Sequence, residues 1–195
     1  MGKMRMIILK SLMVAVGCMV FPPLIGFIVN FISSMVLRKL LGFISRTGKL
    51  YLFVVNRLTF PGVMYHELSH ALFAFITGAK VNEIKLYQKK DGHLGYVKYT
   101  PQGILPIRSV QMAFTSCAPV LMGIILEMII MGIFYSFHFV PKMTKVVLAY
   151  LFISVLLHMD MSKEDVKSYI KGAWSIMIIA FIISLYVLAS IKNPT

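Results

Sequence analysis

Apolar runs about as long as a bilayer is thick recur along this chain, and short basic segments separate them. Runs of roughly twenty such residues are read as transmembrane helices, which leaves few folds open. The chain has 195 residues, of which 58% are hydrophobic and 14% charged, and its mean hydropathy is +0.82. These values fall outside the range of soluble domains. A net charge of +13 would point a soluble protein toward nucleic acid. Here the Lys and Arg residues sit mostly between the apolar runs, where they read as topology signals and contacts to anionic lipid, so no nucleic-acid partner is expected. Both cysteines, Cys18 and Cys117, lie within apolar runs, and no disulfide framework is expected.

The predicted fold is an all-α polytopic membrane protein with a small β-hairpin insert. It has about five spans, at 11–37, 50–77, 110–137, 146–159 and 173–191, three of them forming the core. Lys3, Arg5 and Lys10 ahead of the first run look like a signal peptide, but the hydrophobicity continues to Leu37 and favours a retained helix. Pro22-Pro23 should kink or break that helix. Gly78 is a stop signal for the second span. Residues 80–105 change character: 81–88 and 94–100 are strand-like and flank Asp91-Gly92, a hairpin signal. Three units follow: 1–49, an N-terminal span and basic loop; 50–171, the core with an acidic loop at its end; and 172–195, a C-terminal helix. Basic residues weigh toward the N-terminus, the hairpin and the 160–171 loop, which places these on the cytoplasmic side.

The second run contains His66-Glu67-Leu68-Ser69-His70. Imidazoles four residues apart on a helix are separated by about 40° and can share one metal ion. Glu67 stands where a carboxylate can take a proton from water at that metal. A hydrolytic zinc needs a third protein ligand and an open position. The 160–171 loop reaches the same side of the membrane and offers Asp160, Glu164 and Asp165. Elsewhere, His158 reads as an interfacial residue or else as a group supporting the metal ligands, His138 as interfacial and His93 as an exposed turn residue. Glu127, deep in the third span, reads as the ion-pair partner of Arg57, or else as part of a water path.

These residues resemble the site-2 protease family of intramembrane zinc metallopeptidases. His66-Glu67-Leu68-Ser69-His70-Ala71-Leu72, then Thr77-Gly78-Ala79-Lys80-Val81 and Gly95-Tyr96-Val97, are similar to that family's first core helix and edge strand. Ala118-Pro119 with Gly123 is similar to its second core helix. The family's usual Pro-x-x-Leu-Asp-Gly motif is absent. In its place stands His158-Met159-Asp160-Met161-Ser162-Lys163-Glu164-Asp165, similar to the Ser-x-x-Asp form of small prokaryotic relatives, and this match selects Asp165 over Asp160 as third ligand. The resemblance covers residues 50–170 and includes no PDZ domain.

It implies one Zn²⁺ held by His66, His70 and Asp165, with Glu67 as general base. It also implies peptide-bond hydrolysis in or near the transmembrane segment of a membrane-protein substrate. Leu94, Gly95, Tyr96 and Val97 would hold the unwound substrate by strand addition. The setting implied is a prokaryotic plasma membrane with a cytoplasmic N-terminus. The competing reading is a proteolytically silent membrane scaffold or metal-binding protein, which has no need of Glu67. The sequence carries no signal of oligomeric state.

Overall fold

The computed structural model describes residues 2–45, 47–86, 95–136 and 141–192. Helix α1 (Gly2–Gly42) is followed by a short α2 (Lys49–Phe53), a π-helical turn (Val54–Leu58) and α3 (Phe60–Ile76). Strands β1 (Lys80–Lys85) and β2 (Tyr96–Thr100) precede α4 (Leu105–Ser136), α5 (Lys142–Leu156) and α6 (Lys163–Lys192). Three helical stretches, Met4–Gly42, Leu105–Ser136 and Lys163–Ile191, are long and apolar enough to cross a membrane. Their outward residues include exposed Met13, Phe27, Phe31, Ile182 and Ile183. Apolar surface on this scale is stable only against lipid or another protein, which marks a membrane protein.

The chain's direction follows from contacts along α1. Asn30, Gly26 and Met19 meet Leu157, Asp160 and Tyr169 in that order, so residues 157–169 run antiparallel to α1. Helix α5 runs alongside the start of α3 in the same sense: Tyr150 meets Leu58, Ser154 meets Thr59 and Gly62, and His158 meets His66. Helix α4 runs opposite to α3, through the pairs Tyr65–Pro119, His70–Thr115 and Thr77–Gln111. Helices α5 and α6 therefore run in the same direction, where the apolar runs predicted two opposed spans. At about 22 Å, α5 is too short to cross a ~30 Å core alone. Asp160, the one acid of the 157–162 break, lies beside Gly26 in the middle of α1.

Other expectations change in detail. Pro22 and Pro23 lie inside a helix that continues past them. Residues 163–171, expected as loop, form the first turns of α6, so the division at 171/172 falls within a helix. The helix starts early because Ser162 and Asp165 make a reciprocal cap: Asp165 N–H donates to Ser162 Oγ at 3.1 Å, and Ser162 N–H donates to Asp165 Oδ2 at 2.9 Å. The expected hairpin is present, with β1 antiparallel to β2 and a bulge between Val81 and Glu83. Its Asp91-Gly92 turn and Leu94 lie outside the described residues, as do His93 and His138. Gly78 ends α3 with φ 81°, as expected of a helix stop. Buried Gln111 ties this corner together, accepting from Gln102 N–H at 2.7 Å and donating to the Thr77 carbonyl at 3.0 Å.

Candidate metal centre

Helix α3 carries His66 and His70 on one face, with ring centroids 4.8 Å apart and planes at 73°. Each ring is fixed through Nδ1: that of His66 lies 2.8 Å from the His158 carbonyl, and that of His70 lies 2.7 Å from the Thr115 carbonyl. A carbonyl only accepts, so each neutral ring carries its proton on Nδ1 and leaves a lone pair on Nε2. The two Nε2 atoms face each other at 3.1 Å. Bare lone pairs at that distance repel unless a proton or a metal cation lies between them. Two donors each ~2.0–2.1 Å from a tetrahedral zinc stand about 3.3 Å apart, so the spacing suits such an ion.

Asp165 supplies the third donor. Its Oδ1 lies 3.5 Å from His70 Nε2, and the ligand atoms of His66, His70 and Asp165 all fall within 4.8 Å of one another. The cap described above occupies Oδ2 and turns Oδ1 toward the histidines. The N-terminal end of α6 also favours a carboxylate there. The 157–162 break does two things at once. Had α5 continued, the Ser162 N–H would close on the His158 carbonyl. Instead that carbonyl receives His66, and the Ser162 N–H receives Asp165.

Glu67 is buried on the next position of α3, within electrostatic reach of His70 and Asp165. Gly95, just before β2, lies against it: a Cβ at Gly95 would come within 2.8 Å of both Glu67 Cγ and the Lys85 carbonyl. The hairpin is thus pressed onto the acid by a residue with no side chain. Tyr96 and Val97 pair with Lys85 and Ile84, which uses one edge of β2 and leaves its other edge without a partner strand among the described residues. Tyr99 Oη, 3.1 Å from Ser168 Oγ, ties the strand to α6. At the exposed end of the sheet, the Lys85 ammonium beside Glu83 holds that carboxyl down at about 2, and Lys98 adds a contact at 3.3 Å.

The structure separates the two candidate aspartates. Asp160 stands outside the three-ligand group and lines a separate cavity of about 640 Å³ of mixed character, with Asn30, Arg38 and His158 beside Phe31 and Leu157. The expected Glu127–Arg57 pair is not formed. Both Glu127 carboxyl oxygens are buried without a hydrogen-bond partner, and Arg57 lies in the π-helical turn before α3. Sequence reasoning missed the carbonyls of Thr115 and His158, and the sequence carries only indirect signals of them, in Pro119 and in the Ser162-x-x-Asp165 cap.

Searches against models of known protein families, characterised proteins and solved structures find no match for this chain. The class of protein must come from the site itself: a helical membrane protein with a His-His-Asp group able to bind a metal, and a buried glutamate beside it.

Proposed function

We propose that this chain is an intramembrane zinc metalloprotease that hydrolyses a peptide bond in or near the transmembrane segment of another membrane protein. One observation carries the reading: two imidazole Nε2 lone pairs face each other, both rings fixed through Nδ1, with Asp165 aimed at the same point. Two His and one carboxylate form a donor set that hydrolytic zinc sites use, with a position left for water. Zinc bound there would polarise the scissile carbonyl and lower the pKa of a water toward ~7.

The chain's own groups do the rest. Glu67 takes the proton of the attacking water and passes it to the leaving amine. Its burial against Gly95 keeps it close to the substrate strand. A transmembrane helix has its amides internally bonded, so the substrate must unwind before attack. The free edge of β2, at Gly95, Tyr96 and Val97, would hold the unwound segment through main-chain hydrogen bonds. The basic residues of the N-terminus and of the hairpin segment, by the positive-inside bias of the sequence, support a cytoplasmic N-terminus and a site reached from that side.

The test is Glu67→Gln in the full chain, co-expressed with a membrane-protein reporter. The variant is expected to retain zinc and lose cleavage. If the wild-type chain holds zinc and yet leaves a panel of transmembrane reporters intact, as the variant does, the protease reading fails and a metal-holding scaffold takes its place.

A further inference from the structure

We propose that Pro119 is a positioning residue of the metal centre. Because it has no N–H, it leaves the Thr115 carbonyl free inside α4, and that carbonyl holds His70 in the tautomer that presents Nε2. In an α-helix the N–H of residue 119 would bond to the carbonyl of residue 115. Proline removes that donor. Pro119 lies well inside α4, and it and Thr115 are fully buried. The acceptor is used by His70 Nδ1 at 2.7 Å. A carbonyl already bonded along its helix would be a poorer and worse-aimed partner for the imidazole.

The companion histidine obeys the same rule by other means. His66 Nδ1 is held by the His158 carbonyl, which is free because the chain breaks between α5 and α6. Both rings are thus oriented by carbonyls that an interruption of a helix has released. Tyr65, one residue before the motif, donates its hydroxyl to the Pro119 carbonyl at 2.6 Å, which keys α3 to the same stretch of α4. The inference rests on the metal-binding half of the proposed function and not on proteolysis.

The experiment is Pro119→Ala in the full chain, purified in detergent, with zinc affinity and thermal stability measured together. Restoring the N–H lets residue 119 recapture the Thr115 carbonyl, so zinc affinity should fall about 10–100-fold, as on loss of a group that orients a metal-bound histidine. The thermal midpoint of the metal-free chain should stay level or rise. A cobalt-loaded variant should show an altered visible spectrum. Zinc affinity within twofold of wild type overturns the proposal. So does an affinity loss matched by an equal loss of stability in the metal-free chain, since that is the mark of a packing role alone. If Pro119→Ala does not fold, ¹⁵N-histidine NMR of the zinc-loaded wild type decides: His70 protonated on Nδ1 and bound through Nε2 supports the proposal, and the opposite assignment overturns it. If the wild type takes up no zinc, the metal-centre reading falls together with this inference. If the wild type binds zinc and Pro119→Ala binds it equally well, only this inference falls.

Discussion

Two helix crossings in this molecule use the same backbone defect for different ends. At the α1–α6 crossing, Pro23 has no N–H to give the Met19 carbonyl, and Tyr169 Oη donates to that carbonyl at 2.6 Å. At the α3–α4 crossing, Pro119 likewise releases the Thr115 carbonyl, and His70 Nδ1 takes it. In the first case the donor is a buried phenol packed with Ala113, Cys117 and Ala173, and the bond fastens two helices. In the second the donor is one end of an imidazole, and fixing that end decides what the other presents. A proline inside a membrane helix is therefore not only a kink signal. Its effect depends on which side chain reaches the carbonyl four residues earlier.

The comparison breaks most visibly if the donor is removed at each crossing. His70→Ala should abolish stoichiometric zinc binding, read as metal content per chain after dialysis. Tyr169→Phe should retain full zinc and lower stability by only about 1 kcal/mol, the usual net worth of one hydrogen bond. Zinc loss in Tyr169→Phe would mean that the two crossings are coupled. Next in size is the pair of aspartates. Asp165→Asn should lose most of the bound metal, whereas Asp160→Asn, which alters the separate cavity, should keep it. Gly95→Ala should follow, because the added methyl meets Glu67 Cγ and the Lys85 carbonyl. It is expected to reduce cleavage more than zinc content, measured on the same preparation.

The smallest effect belongs to the hairpin surface. The Glu83 carboxyl is held down at about 2, below its unfolded value of ~4.3, so what it adds to hairpin order is complete above pH ~4.3. That contribution disappears as the pH falls through about 2. Solvent screens this exposed group, so hairpin hydrogen exchange in Glu83→Gln should differ little from wild type at pH 7.

What the sequence disclosed follows from how local each signal is. The histidine pair and Glu67 stand on a single helical turn, so their spacing alone places them together. The hairpin also carries its own turn and strand residues. Asp165 is distant in the chain, and only the likeness of Ser162-x-x-Asp165 to a known form distinguished it from Asp160. The structure supplies a physical reason for that pattern, since the serine caps the helix and turns the carboxylate. The direction of α5 and α6 was not legible, because hydropathy measures the length of an apolar run and does not reveal whether the next run turns back. Nor were the Thr115 and His158 carbonyls, since every residue has one and only tertiary structure shows which are free. The Glu127–Arg57 pairing failed for a related reason: opposite charges in apolar runs suggest a partner without fixing the faces that would bring them together.

The most direct measurement is zinc-edge X-ray absorption on the purified full-length chain, together with its metal content. One zinc per chain is expected, surrounded by nitrogen and oxygen donors at ~2.0–2.1 Å with two imidazoles in the scattering pattern, and the zinc should be lost in His70→Ala. A wild-type chain that retains no zinc, or a zinc with a sulfur neighbour at ~2.3 Å, would contradict this expectation.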